Sequence, residues 1–168
     1  MNMATQLVPG ASVPEGQTPP MVAADHAQLL ASADPVLAAN KRLCYDMYRI
    51  VLQGGHADRA HEFIAEGYIQ HNPNVVSGRA ALESFIRGSR PAREVRPTIE
   101  LPLVSIVAER DMVTMAFVRT ETGEDGETYH TSWFDLFRIQ DGRIAEHWDP
   151  AIKSAAMLRT DPNTQRLD

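Results

Sequence analysis

The sequence predicts an α+β fold in which helices come first and a curved, mainly antiparallel sheet follows. Two observations carry this prediction. Apolar residues recur every three or four positions up to about residue 90, and beyond Pro91 they alternate with a period of two. The later segments are joined by tight turns, among them Asp141-Gly142, a strong hairpin signal. The expected architecture is therefore a cone-shaped barrel of three N-terminal helices packed on the sheet, with a cavity at its mouth.

The helices are predicted from their start and stop signals. Asp34-Pro35 starts the first helix, because an acidic N-cap followed by proline is a typical helix start. Gly54-Gly55 ends it. Three shorter elements are expected next: a second helix over 57–65, an extended piece over 68–73 closed by a proline turn, and a third helix over 78–88 capped by Ser77.

Period-two alternation predicts four strands, over 98–109, 112–122, 127–140 and 143–151. Pro102 lacks an N–H for strand pairing, so the first of them is expected at the sheet edge or with a bulge.

Three regions of the chain are distinguished by composition. Residues 1–33 are expected to be a flexible tail, because residues 1 to about 24 hold several prolines and too little apolar periodicity to bury, while residues 26–33 can add a short helical turn. Residues 34–151 are the expected working domain, and 152–168 are a C-terminal extension.

Composition excludes several classes of function. The 168 residues suit one domain, and the net charge of −6 argues against nucleic-acid and anionic-membrane partners. Cys44 is the single cysteine, which excludes an intramolecular disulfide and a multi-cysteine zinc site. Glycine-rich phosphate and dinucleotide motifs are absent from the sequence, as is a G-x-S-x-G nucleophile motif. A soluble, cytoplasmic protein is expected.

The third long strand carries an acid in an apolar row. Trp133, Asp135 and Phe137 share one face because side chains on a strand alternate with period two. A carboxyl group in such a row suits a general acid or a hydrogen-bond donor to an oxyanion. The alternative is that Asp135 caps a backbone amide.

Two histidines and a second acid complete the candidate catalytic set. His147 and Asp149 share a face of the last strand and are candidates for an acid/base pair, and His71 stands at an element end before a proline turn. In the alternative, His147 is a core residue and His71 only holds its turn. His71, His147 and Asp149 together also have the chemistry of a metal site, although a metal-free site is expected.

Further residues are assigned from their place in the predicted elements. Tyr48, Met115 and Phe117 are expected to shape the pocket with Trp133 and Phe137. Cys44 is interpreted as an inert core thiol. Arginines repeat every third residue near the end of the third helix and are interpreted as a solvated stripe, an anion site being the alternative: Arg87, Arg90, Arg93 and Arg96.

Three segments carry a family resemblance: Tyr68-Ile-Gln-His-Asn-Pro73 with the following Gly78-Arg-Ala-Ala-Leu82, Trp133-Phe-Asp-Leu-Phe-Arg138, and Asp141-Gly-Arg-Ile-Ala-Glu-His-Trp-Asp149. With them the chain resembles the nuclear-transport-factor-2-like superfamily, and within it the SnoaL-like polyketide cyclases predicted to catalyse aldol condensations. The resemblance covers about residues 34–151.

The resemblance implies a cone-shaped α+β barrel, a homodimer joined through the sheet, and a pocket at the wide end that takes an apolar, carbonyl-bearing small molecule. It implies no metal and no cofactor. Asp149 matches the acid/base of the cyclases, His71 and His147 resemble the pocket histidines, and Asp135 resembles the oxyanion-hole acid of ketosteroid isomerases.

The chain also departs from related enzymes. Limonene epoxide hydrolases place an arginine two residues before the acid that Asp135 matches, and here that position is Trp133. Ketosteroid isomerases need a helix tyrosine, for which Tyr45 and Tyr48 are candidates. Two hypotheses stay open: an enzyme with acid/base chemistry alpha to a carbonyl (aldol-type cyclisation or isomerisation), or a non-catalytic ligand-binding or dimerisation module that uses the same pocket.

Overall fold

The computed structural model describes residues 4–8, 13, 16 and 19–153. Its elements in chain order are β1 (Thr5–Leu7), β2 (Met21–Ala23), α1 (His26–Leu30), α2 (Pro35–Asp46), a π-helix (Met47–Gln53), a 3₁₀ helix (Ala57–Glu62), β3 (Ile64–Gln70), α3 (Arg79–Ser89), β4 (Leu103–Glu109), β5 (Met112–Thr122), β6 (Thr128–Gln140) and β7 (Arg143–Trp148). This is the predicted α+β class.

The main sheet is curved and mixed. Its strand order is β3-β7-β6-β5-β4, in which β3 runs parallel to β7 and the other neighbours are antiparallel. β4 is an edge strand, and its register shifts between Leu103 and Ser105. The expectation from Pro102 is thereby confirmed on both counts.

β4 begins five residues later than the alternating pattern predicted. The Gln53 side chain donates to the carbonyl of Thr98 and accepts from the N–H of Glu100. These backbone groups are therefore engaged by a helix residue rather than by a neighbouring strand. The segment between α3 and β4 remains a loop held against the end of the π-helix.

The first helix starts as the sequence predicted. Asp34 Oδ1 accepts the N–H groups of Val36 and Leu37, and Pro35 is the first helical residue. After Asp46 the helix continues with π geometry to Gln53, one residue before Gly54-Gly55. Extra residues of this kind inside helices are frequent at functional sites, and this one carries Tyr48.

The other two predicted helices differ in detail. The second is a six-residue 3₁₀ helix, because β3 already begins at Ile64. The third is α3, but Ser77 does not cap it. Gly78 occupies the N-cap without a side-chain bond, and Ser77 Oγ instead accepts the N–H of Gln70. Ser77 thus fastens the loop before α3 to the end of β3.

The first 33 residues contain more structure than a tail lacking apolar periodicity would have. Within the described ranges, β1 and β2 form an antiparallel pair, and Asp25 caps α1 by accepting the N–H of Ala27. Val22, Ala23, Leu29 and Leu30 are buried. Residues 154–168, most of the expected C-terminal extension, lie outside the described residues.

The core fills the space between the helices and the concave face of the sheet. Its most buried large side chains include Tyr45, Ile86, Met115, Phe137 and Ile144. Cys44 is fully buried, and burial raises the pKa of its thiol, which agrees with an inert core position. No helix in the described part of the chain has the length and apolar character needed to cross a membrane.

Candidate active site

A cavity of about 500 Å³ lies between the helices and the concave face of the sheet. Most of its wall is apolar, and the acidic groups Asp135 and Asp149 lie in it with His147. Further wall residues come from the π-helix, β3, α3, the loop after α3 and β6: Tyr48, Leu52, Tyr68, Gln70, Asn72, Leu82, Phe85, Arg90, Arg93, Leu101, Trp133 and Phe137.

Asp135 is the most buried polar group of the cavity, with a side chain 2% exposed. The Tyr48 hydroxyl donates to Asp135 Oδ2 at 2.5 Å, and the Trp133 indole N–H donates to Oδ1 at 3.2 Å. His147 Nε2 lies 2.8 Å from Oδ1. The carboxyl group therefore accepts side-chain bonds at both oxygens, and in this structure the alternative of a backbone cap does not apply.

His147 is oriented by a residue of β3. Its Nδ1 lies 3.0 Å from Gln70 Oε1, and the same oxygen accepts the backbone N–H of Asn72 at 3.0 Å. Because a main-chain N–H only donates, this atom of Gln70 is the carbonyl oxygen, and His147 Nδ1 must carry a hydrogen. The proton that His147 can exchange is therefore the one at Nε2, shared with Asp135.

Asp149 is held as an acceptor. The Asn72 side-chain amide donates to Asp149 Oδ2 at 2.7 Å, and the N–H of Ala151 donates to Oδ1 at 2.9 Å. The cavity thus contains an acceptor carboxyl group, Asp149, beside the hydrogen-bonded Asp135–His147 pair.

The three predicted groups Asp135, His147 and Asp149 converge. One side-chain ligand atom from each lies within 4.8 Å of the others. The distances alone also fit a metal ion, but the lone pairs of Asp135 already accept bonds from Tyr48 and Trp133. A metal-free site stays a prediction.

His71 does not join them. Its Nε2 lies 3.0 Å from Glu146 Oε2, and its ring stacks on Trp148 at 4.4 Å between centroids. Both partners face away from His147 because side chains alternate along β7. The structure therefore does not bring His71 together with His147 and Asp149, and its assignment to the catalytic set or to a metal site stays a prediction.

The predicted pocket residues divide into two groups. Tyr48, Trp133 and Phe137 line the cavity, and Phe137 stacks on the His147 ring at 4.8 Å. Met115 and Phe117 are buried behind it instead: Met115 pairs across the strands with Asp135, and Phe117 packs on Tyr48 at 5.0 Å. Met115 and Phe117 therefore affect the cavity wall only by supporting Asp135 and Tyr48, which line it.

Two tyrosine hydroxyls in the cavity wall stay protonated. Burial, followed by the charge of Asp135, raises the pKa of Tyr48 well above its usual value. Burial also raises the pKa of Tyr68. Tyr68 Oη accepts a bond from Gln70 Nε2 at 3.0 Å, and among the described residues no acceptor is found for its own hydrogen. That hydrogen is available to a bound molecule.

Sequence reasoning missed Tyr68, Gln70 and Asn72, although the signal was present. In the segment Tyr68–Pro73, His71 is the residue selected from the sequence, because it stands at an element end before a proline turn. Period-two alternation along β3 puts Tyr68 and Gln70 on one face and residues 69 and 71 on the other. The same alternation applied to β7 had already selected the inward face correctly.

Comparison with known protein families identifies a SnoaL-like domain over residues 45–147, more than half of the chain. The chain belongs to the SnoaL-like domain family. This match spans the segment from the helix that carries Tyr48 to His147. No curated protein sequence matches the chain significantly.

The chain is also similar to several solved structures. An LEH-like epoxide hydrolase from M. tuberculosis has a TM-score of 0.51 and 16% identity, covering 68% of this chain and 84% of its own. TsrD from Streptomyces laurentii has a TM-score of 0.47 and 23% identity over 70% and 90% of the two chains. An NTF2-like protein of unknown function from Mesorhizobium loti has a TM-score of 0.49 and 20% identity over 73% and 98%.

Proposed function

We propose that this SnoaL-like protein is a cofactor-free enzyme that removes a proton alpha to the carbonyl group of a largely apolar small molecule. The observation that carries the proposal is the convergence of Asp149, held as an acceptor, with the Asp135–His147 pair in one apolar cavity. Membership of the SnoaL-like family supports it.

The proposed first step is a proton transfer from carbon to Asp149. The C–H bond breaks, its electron pair forms the enolate C=C bond, and negative charge develops on the carbonyl oxygen. The Tyr68 hydroxyl donates a hydrogen bond to that oxygen, and the hydrogen shared by Asp135 and His147 Nε2 lies beside it. Preorganised donors of this kind contribute about 3–4 kcal/mol each to transition-state stabilisation.

The enolate carbon then has two outcomes. Attack on a second carbonyl carbon of the same molecule forms a new C–C bond and closes a ring, and Asp149 returns its proton to the resulting alkoxide. Reprotonation of the enolate at another carbon moves a double bond instead. The proposal covers both, because they share the first step.

Hydrogen–deuterium exchange tests that shared step without knowledge of the natural substrate. The probe is 2-tetralone, an apolar ketone with exchangeable α-hydrogens, incubated in D₂O and followed by proton NMR. We expect the protein to accelerate exchange and Asp149→Asn to lower the acceleration by on the order of 10²-fold, with the circular dichroism spectrum unchanged.

Glu146→Gln is the matched control, since Glu146 lies on β7, three residues before Asp149, but faces away from the cavity. It is expected to retain exchange. Equal rates in wild type and Asp149→Asn would remove Asp149 from the mechanism. Binding of 2-tetralone without any acceleration would favour the non-catalytic ligand-binding function.

We also propose that the protein pairs with a second copy through the outer face of the sheet, as the family resemblance implies. Val107 and Phe134 are 60% and 51% exposed there, although both are apolar. Light scattering after gel filtration is expected to give twice the chain mass, and Phe134→Glu to give a monomer. A monomeric wild type would refute the pairing.

A further inference from the structure

The arginines after α3 are not equivalent. Arg87 pairs with Glu83 at 3.0 Å on the surface, and Arg96 lies near Glu94 and Glu100. Arg90 and Arg93 instead line the cavity. All four arginines are exposed, as expected for a solvated stripe, and Arg90 and Arg93 in addition border the cavity.

Main-chain carbonyls hold both cavity arginines in place. Arg90 Nη1 donates to the carbonyl of Leu52 at 2.7 Å, and Arg93 Nε donates to the carbonyl of Gln53 at 2.9 Å. These are consecutive carbonyls at the end of the π-helix, so the two guanidinium groups are anchored side by side. Anchoring by neutral carbonyls lowers the entropy cost of binding while the positive charge remains.

The charge at this end of the cavity is incompletely balanced. Arg93 and Arg96 share one carboxylate, Glu100, at 2.8 and 3.4 Å. Arg90 has no carboxylate within 4.0 Å among the described residues, and two of its N–H groups are used, by Leu52 and Ser89. A guanidinium group with free donors beside an apolar cavity matches the geometry of a carboxylate or sulfonate.

The proton-transfer groups lie at a fixed distance from this charge. Tyr48, which binds Asp135, is four residues before Leu52 on the same π-helix, which is a little less than one helical turn. A molecule whose anionic group and carbonyl group are separated by an apolar body about as long as this turn can reach Arg90 with one group and Asp135 with the other.

We propose that the substrate carries a carboxylate or similar anionic group, bound by Arg90 with Arg93 as second donor, while its carbonyl group lies against Asp135, His147 and Asp149. This rests on the proposed function for the choice of cavity. It adds a substrate class, an apolar keto acid, and makes Arg90 a specificity-determining residue.

Two fluorescent probes with the same ring system test the proposal: 8-anilinonaphthalene-1-sulfonate is anionic, and N-phenyl-1-naphthylamine is neutral. We expect the sulfonate to bind more tightly than the neutral amine. Arg90→Gln is expected to weaken the sulfonate about fivefold and leave the neutral amine unchanged. Arg90→Lys keeps the charge and is expected to retain most of the preference.

Two further variants serve as controls. Arg87→Gln, on the preceding turn of α3, is expected to change neither probe. Leu82→Phe fills part of the cavity wall and is expected to weaken both, which assigns the binding to the cavity.

Equal affinity of the two probes for the wild type would overturn the anion site. An equal loss of affinity for both probes in Arg90→Gln would also overturn it, since the arginine would then only cap the helix. In either case 2-tetralone exchange, which needs no anionic group, would leave the proposed function standing. Normal probe selectivity with no 2-tetralone exchange would instead remove the catalysis and keep the anion site. If Leu82→Phe left the affinity of both probes unchanged, the probes would bind outside the cavity and the proposed site would be refuted.

Discussion

Gln70 determines which nitrogen of His147 exchanges a proton. It does so through its side-chain carbonyl oxygen, Oε1. The oxygen accepts the Asn72 main-chain N–H and the His147 Nδ1 hydrogen together. Asn72 in turn holds Asp149 with its side chain. Gln70, at the end of β3, and Asn72, two residues later, therefore orient both the proton donor and the proton acceptor.

We predict that Gln70→Leu lowers 2-tetralone exchange by about tenfold or more, because the imidazole loses its orientation while the reacting groups remain. Gln70→Glu keeps an acceptor for Nδ1 and is expected to retain the larger part of the activity. Nitrogen NMR of the His147 ring should show a hydrogen at Nδ1 in the wild type. An unprotonated Nδ1 there would contradict the assignment.

Tyr48 stabilises the buried carboxyl group of Asp135. Removing its hydroxyl leaves Asp135 Oδ2 without that donor, so we predict that Tyr48→Phe lowers the free energy of unfolding by about 1–3 kcal/mol. Urea denaturation at neutral pH measures the loss. Tyr129, which is 52% exposed, provides the control Tyr129→Phe, expected to have no effect.

The raised pKa of Tyr48 has a consequence at alkaline pH. Folding favours the protonated hydroxyl, so its contribution to stability is complete below the unfolded pKa near 10 and is lost as the pH rises toward the folded pKa. Stability of the wild type should therefore fall more steeply above pH 10 than that of Tyr48→Phe. Parallel alkaline curves for the two proteins would refute this contribution.

At the scale of elements, the loop after α3 is built onto the end of the π-helix. Gly55 has a φ of +73°, and a Cβ there would lie 2.6 Å from the carbonyl oxygen of Pro91. The Arg93 N–H also donates to the carbonyl of Gly54 at 2.8 Å. The position of Arg90 and Arg93 in the cavity wall thus depends on a glycine at 55.

We predict that Gly55→Ala lowers the free energy of unfolding by about 1–3 kcal/mol, through backbone strain and displacement of this loop. Gly88→Ala is the matched control inside α3, where a Cβ meets nothing within 4 Å. It is expected to be neutral or to stabilise by up to about 1 kcal/mol. Thermal unfolding compares the two, and a tolerated Gly55→Ala would show that the loop adapts.

At the scale of the whole molecule, the N-terminal elements are joined to the domain by polar contacts as well as by buried apolar residues. His26 Nδ1 lies 2.8 Å from Tyr45 Oη, which also accepts the N–H of Ile99 at 3.1 Å. Lys41 Nζ donates to the carbonyls of Leu29 and Ala31. The chain before Asp34 is in this way fixed to α2 and to the loop before β4.

This attachment should weaken in acid. Burial lowers the pKa of His26 from 6.5, against a smaller opposing effect of Asp25. The contribution of neutral His26 to stability is therefore complete above pH 6.5 and is lost as the pH falls through the folded pKa. We predict that the melting temperature falls between pH 7.5 and pH 5 by less in His26→Phe than in the wild type. If the melting temperatures of His26→Phe and the wild type fell equally between pH 7.5 and pH 5, protonation of His26 would not destabilise the fold.

Local patterns sufficed for much of this architecture. The N-cap at Asp34, the bounds of β5, the hairpin at Asp141-Gly142 and the edge position of β4 follow from short-range rules, because caps, turns and alternation involve only a few neighbouring residues. The inward faces of β6 and β7 were correct for the same reason and selected Asp135 and His147, whereas β7 ends at Trp148, earlier than predicted, and Asp149 lies just after it.

Tertiary structure decided what those residues bind. The sequence alone determined the α+β class and the inward acids, since both depend on periodicity. It could not show that β3 pairs in parallel with β7, which brings Gln70 and Asn72 to His147 and Asp149 and turns His71 toward Glu146. Nor could it show that Arg90 and Arg93 enter the cavity wall, because hydrogen bonds to residues some 40 positions away depend on how the chain folds back, not on local spacing.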